Sequence, residues 1–264
     1  MQDLRIAYIQ TDISWEDKAR NLERFDEHLA KVKEDVDLVI LPEMFNTGFS
    51  INPERFAEHM NGEGVNYLLN KAKHLKSVII GSLLIRTRDG FVNRLVVAHP
   101  GGKLETYDKR HLFRLSEEYK IIRGGDKRLV IKVKDWKIRP LVCYDLRFPV
   151  WSKNTFTNGK YEYDLLVYIA NWPVVRSAVW KTLLAARAME NQVYCIGVNR
   201  VGEDGNGITH SGDSMAVDGK GNILSSVSPG NEGVNIVSLS GTDLELFRES
   251  FTLGMDWDRF NIEP

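Results

Sequence analysis

The sequence predicts a layered α/β protein with mixed sheets, and three observations carry that prediction. Residues 36–41 (VDLVIL), 78–85 (VIIGSLLI) and 163–170 (YDLLVYIA) are near-continuous aliphatic runs, the pattern of strands buried on both faces. Between such runs the apolar residues shift to helical spacing. Leu22, Phe25, Leu29 and Val32 share one face of a helix over 15–32, and Leu183, Leu184, Ala188 and Met189 lie on or near the buried side of another over 179–191. Asp89-Gly90 and Gly101-Gly102 are tight-turn signals, so antiparallel hairpins interrupt the strand–helix–strand order.

Taken in order, residues 4–10 read as the first strand, and the strand at 36–41 ends at Pro42-Glu43. A helical stretch over 53–76 is broken by a loop at 61–64. The strand at 78–85 returns at 93–98 through the Asp-Gly turn, and 104–107 pairs beyond the next turn. Strand and turn at 132–137 lead into RPLVCYDLRFP (139–149), where an apolar strand stops abruptly and Cys143 stands at the junction. The run at 163–170 ends at Asn171-Trp172-Pro173. Its layout resembles VDLVILPE, which suggests two halves built alike. Residues 193–199 (VYCIGVN) form a strand in which Cys195 reads as core. A hairpin turn at 218–222, a strand at 234–239 and a helix at 244–248 follow. The tail carries Trp257 and Phe260, and a tail over about 241–264 with such aromatics is of the kind that packs on a neighbouring subunit. No linker, repeat or low-complexity stretch divides the chain, so a single domain is expected over 1–264.

Composition excludes several classes. The formal net charge is −1 over 264 residues, with 43% hydrophobic and 27% charged residues, so nothing points to nucleic acid or an anionic membrane. Two widely separated cysteines make neither a disulfide framework nor a zinc site. No apolar segment is long enough to span a membrane. No basic n-region precedes the first strand, so no signal peptide is read there, and a cytoplasmic location is expected.

Three polar groups stand at predicted strand ends. Glu43 directly follows a buried strand and is succeeded by Met44, Phe45 and Phe49, an apolar setting that suits a general base. Lys109 belongs to a basic trio with Arg110 and His111, a fixed cation for a developing oxyanion. Cys143 has the strand-to-turn position in which a thiol is partly exposed and faced by backbone N–H groups. Each is weak evidence alone, since strand ends are often just solvated surface. Together they supply the parts of a nucleophilic acyl transfer. His210 and Ser211-Gly212-Asp213-Ser214 tempt towards a serine nucleophile, but the Gly-x-Ser-x-Gly elbow is absent and a structural turn is the better reading. The six histidines show no metal-ligand spacing.

LPEMFNTGF (41–49), YDKRHLF (107–113), CYDLRFP (143–149) and ANWP (170–173) resemble, in order and spacing, the motifs of the nitrilase superfamily, the carbon–nitrogen hydrolases. The resemblance runs from the first strand past Gly205. HLFRLSEEY, CYDLRFPVWSKN and LLAARAMENQVY look most like the bacterial omega-amidases of that superfamily. It implies a four-layer αββα sandwich and a Glu43-Lys109-Cys143 triad that hydrolyses the amide of a small 2-oxo acid through a thioester. Lys109 and the backbone N–H of Tyr144 would hold the oxyanion. A supporting glutamate is implied at Glu118, by its distance to Gly125-Asp126, with Glu117 as the alternative. Phe45, Asn171 and Trp172 are expected at the substrate, and Arg176 beside a substrate carboxylate. Arg147, Arg187 and Glu190 are expected to form a buried network behind the site. No metal or organic cofactor is implied. The expected partners are a small amide, water and a second copy of the chain in a homodimer or larger homo-oligomer. N-carbamoyl amino acid or nitrile hydrolysis is the enzymatic alternative, and an idle scaffold subunit is the alternative of another kind.

Overall fold

A computed structural model describes residues 1–33 and 35–262 of the chain. β1 (Leu4–Gln10), β2 (Leu38–Ile40), β3 (Val78–Thr87), β4 (Gly90–Ala98) and β5 (Leu104–Asp108) come from the first half. α1 (Lys18–Leu29), α2 (Pro53–Phe56) and α3 (Glu63–Leu75) lie between them, and α4 (Glu118–Ile121) follows. β6 (Ile131–Val133) and β7 (Trp136–Val142) lead to α5 (Pro149–Ser152), the small hairpin of β8 (Phe156–Thr157) and β9 (Lys160–Tyr161), and then β10 (Leu165–Ala170). α6 (Ser177–Asn191), β11 (Tyr194–Asn199), the hairpin of β12 (Val201–Glu203) and β13 (Thr209–Ser211), β14 (Met215–Val217), β15 (Ile223–Ser226), β16 (Gly233–Leu239) and α7 (Gly241–Ser250) complete the order.

Two six-stranded sheets result, ordered β16-β1-β2-β3-β4-β5 and β6-β7-β10-β11-β14-β15. Each has three parallel strands in the middle, one antiparallel strand on one side and an antiparallel pair on the other. The likeness between VDLVILPE and YDLLVYIANWP has this physical meaning: β2 and β10 occupy equivalent places in the two sheets.

Strand alternation builds the layers. Leu4, Ile6 and Tyr8 of β1, Leu38 and Ile40 of β2, and Leu95 and Val97 of β4 share one apolar cluster with the second sheet. The intervening Ala7, Ile9, Val39, Val92 and Val96 pack the other way, against Phe25 and Leu29 of α1 and Val65, Leu68 and Ala72 of α3. Trp180, Leu184 and Ala188 of α6 cover the outer face of the second sheet. The fold is therefore a four-layer αββα sandwich with mixed sheets. The helix predicted over 15–32 is confined to Lys18–Leu29, where the Asp17 side chain caps its start.

Gly197 sets the contact between α6 and the second sheet. A Cβ there would lie 2.4 Å from Leu184 Cδ1 and 2.6 Å from Trp180 Cζ2. The tail is tied to its own chain as far as Trp257. Arg248 donates to Asp164 at 2.7 Å and to the Tyr163 and Gln192 carbonyls at 3.0 Å, and Trp257 meets Tyr161 edge-on at 5.6 Å. Met255 and Phe260 remain exposed; residues 263–264 of the tail lie outside the described residues. No helix among the described residues is long and apolar enough to cross a membrane.

Replacing Gly197 by Ala should lower stability by about 1–3 kcal/mol, the usual cost of overpacking, measured as the shift in the urea midpoint at unchanged slope. A neutral effect would show that α6 is free to move away from β11.

Candidate active site

Cys143 follows β7 and opens a short helical turn, Cys143–Arg147. Its φ is +46°, a left-handed conformation that is costly for a side-chain-bearing residue. That kink takes the thiol out of the strand alternation, leaving it half-buried beside the fully buried Val142. The Asp145 carboxylate supports the turn by accepting the Val142 N–H at 3.1 Å.

Glu43 stands beyond the end of β2 and is fully buried. Its Oε1 accepts from Asn93 Nδ2 at 2.8 Å and from Lys109 Nζ at 3.0 Å; its Oε2 accepts from the backbone N–H of Asn171 at 2.8 Å. The Asn171 side chain donates in turn to the Glu43 carbonyl at 2.7 Å. Residues at equivalent strand ends of the two sheets thus bind each other and fix the carboxylate across the sandwich.

Lys109 follows β5. It is buried between two carboxylates, with Glu118 Oε1 and Oε2 both 3.0 Å from Nζ, and the Phe49 ring covers it at 5.1 Å. Glu118 is itself pinned by the Phe113 N–H at 2.6 Å. Glu117 adopts φ +62°, points outwards and pairs with Lys120 at 2.6 Å, so the supporting position falls to Glu118.

Charge and burial compete in this cluster. Burial alone would push the Lys109 ammonium down, but Glu118 and Glu43 outweigh it and its pKa is raised. Glu118 is raised by burial and by the Glu43 charge, against the pull of Lys109. Burial first, and the Glu43 carboxylate second, raise the Cys143 thiol well above its ordinary range; Lys109 opposes them and loses. The resting thiol is therefore protonated, and the acceptor it meets is the Asn171 carbonyl at 4.0 Å.

A cavity of about 350 Å³ opens over the thiol. Lys109, Tyr144, Asn171, Trp172 and Arg176 line it, as expected from the sequence. Phe45 does not: it packs edge-on to Phe25 at 5.5 Å and lies beneath Gly81 in the outer apolar layer. Left-handed turns at Met44 and Gly48 rotate this loop so that Phe49, four residues on, takes the cavity position. Arg147 is also at the cavity, its guanidinium 5.3 Å from the Trp172 ring centre, whereas Arg187 pairs with Glu190 at 3.0 Å and donates to the Leu146 carbonyl. The three-residue network read from the sequence is thus a two-residue one. Arg176 lies over Phe113 at 5.3 Å. Among the described residues neither Arg147 nor Arg176 has a carboxylate within ion-pair distance.

His210 lines the cavity too, its pKa pushed down to about 4 by burial and by Arg200, so it is neutral. Ser214 is held between the Asn199 N–H and carbonyl, which confirms a structural turn there. Among the described residues no group of three His, Cys, Asp or Glu side chains is placed to hold a metal ion.

A thiol, a buried carboxylate and an ammonium meeting where two back-to-back sheets end define a thiol-dependent hydrolase of the αββα class. Residues 5–249 match the carbon–nitrogen hydrolase family, and the chain belongs to that family, within the nitrilase superfamily. It is 40% identical over 263 residues to the omega-amidase YafV of Escherichia coli K12, covering 99% of this chain and 100% of that one. It is 30% identical to the 2-oxoglutaramate amidase of Bacillus subtilis, covering 83% and 84% of the two chains. Among solved structures, XC1258 of Xanthomonas campestris, a CN-hydrolase superfamily protein with an arsenic adduct in its active site, superposes with a TM-score of 0.96 at 41% identity, covering 100% of both chains.

Alkylation of Cys143 by iodoacetamide should keep accelerating above pH about 8.5, an ordinary thiol midpoint. Glu43→Gln removes a charge that raises the thiol, so its alkylation midpoint should fall. An upward shift, or none, would contradict the assigned electrostatics.

Proposed function

We propose that the protein is an omega-amidase, acting on the terminal amide of a small 2-oxo dicarboxylic acid and releasing ammonia. The observation that carries this reading is the meeting of Lys109 and Cys143 at one cavity, with Glu43 bonded to Lys109 behind them, whose other cations, Arg147 and Arg176, lack carboxylate partners among the described residues. A cavity of about 350 Å³ with apolar walls and free guanidiniums suits a short acid amide. The similarity to the omega-amidase of Escherichia coli and the 2-oxoglutaramate amidase of Bacillus subtilis supports it.

Glu43 takes the Cys143 proton as sulfur attacks the amide carbon. The negative charge passes to the amide oxygen, where the Lys109 ammonium and the Tyr144 backbone N–H meet it. Collapse of the tetrahedral adduct breaks the C–N bond. The proton held by Glu43 goes to nitrogen, ammonia departs and a thioester remains on Cys143. Glu43 then takes a proton from water, whose oxygen attacks the thioester; the C–S bond breaks, the carboxylic acid leaves and the thiol is reprotonated. Glu118 keeps Lys109 charged and in place without reacting. Arg176, with Arg147, pairs with the substrate carboxylate. The intact set of reacting groups opposes an idle scaffold. A reducing cytoplasm suits a free thiol, and the exposed Met255 and Phe260 suit a contact with a second copy in a homodimer.

Ammonia release from 2-oxoglutaramate should be fast in the wild type and abolished in Cys143→Ala. Glutamine, asparagine and an N-carbamoyl amino acid should be poor substrates. Cys143-dependent release from one of those instead would move the substrate and keep the reacting groups; no release from any would bring the scaffold forward.

Arg176→Met should raise KM for the 2-oxo amide about 10- to 150-fold, the weight of a charge-assisted hydrogen bond of about 1.5–3 kcal/mol, with kcat changed far less. An equal effect on an uncharged short amide would remove Arg176 from carboxylate recognition.

A further inference from the structure

Asp145 is fully buried two residues after the nucleophile and lies outside the reaction scheme above. Its carboxylate is satisfied by two separate segments. Oδ2 accepts the Val142 N–H at 3.1 Å and the Tyr107 O–H at 2.7 Å. Oδ1 accepts the His111 N–H at 3.1 Å and the His111 Nδ1–H at 2.7 Å. Val142 immediately precedes Cys143. Tyr107 and His111 flank Lys109 at two residues on either side.

These partners are themselves held. The Tyr107 oxygen accepts from the Arg110 N–H at 3.2 Å and from Trp151 Nε1 at 2.9 Å. The His111 ring stacks on Phe148, with centres 3.6 Å apart and planes 6° from parallel. One acceptor-only side chain therefore joins the turn that carries the thiol to the segment that carries the ammonium. Four donors meet a carboxylate's four acceptor sites.

We propose that Asp145 is a positioning residue that sets the placement of the Lys109 ammonium relative to the Cys143 thiol, with His111 as its partner on the lysine segment. Neither reacts. They act on the step in which Lys109 meets the oxyanion, where a misplacement of about 1 Å costs about a hundredfold in rate. An amide at position 145 keeps the volume but turns an N–H₂ towards the Val142 and Tyr107 donors or towards the two from His111, so one side of the clamp opens.

The test uses the full chain with two readouts. Asp145→Asn should lower kcat about a hundredfold while KM stays within about threefold of wild type. It should also move the pH midpoint of Cys143 alkylation upward, because Lys109 is the cation that draws the thiol down. In a Lys109→Met background the same substitution should produce no further shift. His111→Ala should lose kcat, and His111→Asn should recover most of it, since the asparagine Nδ2 stands where the imidazole Nδ1 stood. The kcat arm rests on the proposed reaction, but alkylation needs no substrate, so failure of the substrate reading is distinguishable from failure of this one. A kcat within about threefold of wild type in Asp145→Asn, an alkylation shift that adds in full to that of Lys109→Met, or equal losses in His111→Ala and His111→Asn would overturn the proposal. Should Asp145→Asn not fold, the two His111 variants decide it.

Discussion

An ammonium buried between two carboxylates is the interaction on which the site depends. Lys109 has left water, and an isolated charge in that setting would cost several kcal/mol. Glu118 compensates it with both oxygens and Glu43 with one. The arrangement is not a stability device, because buried ion pairs often contribute little net stability. It holds a cation without solvent beside the thiol, and burial, with the Glu43 carboxylate second, keeps that thiol protonated. In the proposed reaction the nucleophile is therefore made during attack, by Glu43, rather than stored as a thiolate. A stored thiolate would react with passing electrophiles; a thiol that ionises only against a docked carbonyl is more selective.

The doubled architecture explains how these groups come together. Each sheet ends its three parallel strands on the same side, and the sheets stack with those ends adjacent. Glu43 beyond β2 and Asn171 beyond β10 are structural counterparts, and they clasp each other through the Asn171 N–H and side chain. Cys143 comes from the neighbour of β10 and Lys109 from an edge strand of the first sheet. The cavity thus takes its ammonium from one half, with Glu43 behind it, and its thiol from the other, and its roof from segments that have no counterpart: the turn after Lys109 and the β12–β13 hairpin.

Glu43 and Cys143 were legible in the sequence because each sits where an aliphatic run stops, and a run long enough to be buried marks its own end; Lys109 follows the polar edge strand LETYD and was marked by its basic trio and by the resemblance alone. The supporting carboxylate was narrowed to two adjacent residues, and the turn at Glu117 is what separates them. Loop directions were not legible. Phe45 and Phe49 are both aromatic and both follow Glu43, and only the left-handed turns at Met44 and Gly48 decide that the first returns to the core and the second covers Lys109. Arg147 was read into a buried network because its distance from Arg187 gives no sign of which way it faces. Asn93, which binds Glu43, comes from the middle of a hairpin strand, and nothing in its neighbours distinguishes it from any other polar strand residue. His210 carried a signal, a histidine within a Gly-rich hairpin, but its place in the cavity follows from how that hairpin folds over the sandwich.

The proposed reaction depends on covalent catalysis by Cys143, and trapping the intermediate tests that most directly. Acid quenching during turnover of 2-oxoglutaramate, followed by peptide mass spectrometry, should find the acyl group on the peptide containing Cys143, at a level that falls once substrate is exhausted and with no such adduct in Cys143→Ala. Turnover at full rate with no acyl adduct, or an adduct on Cys195 instead, would contradict it.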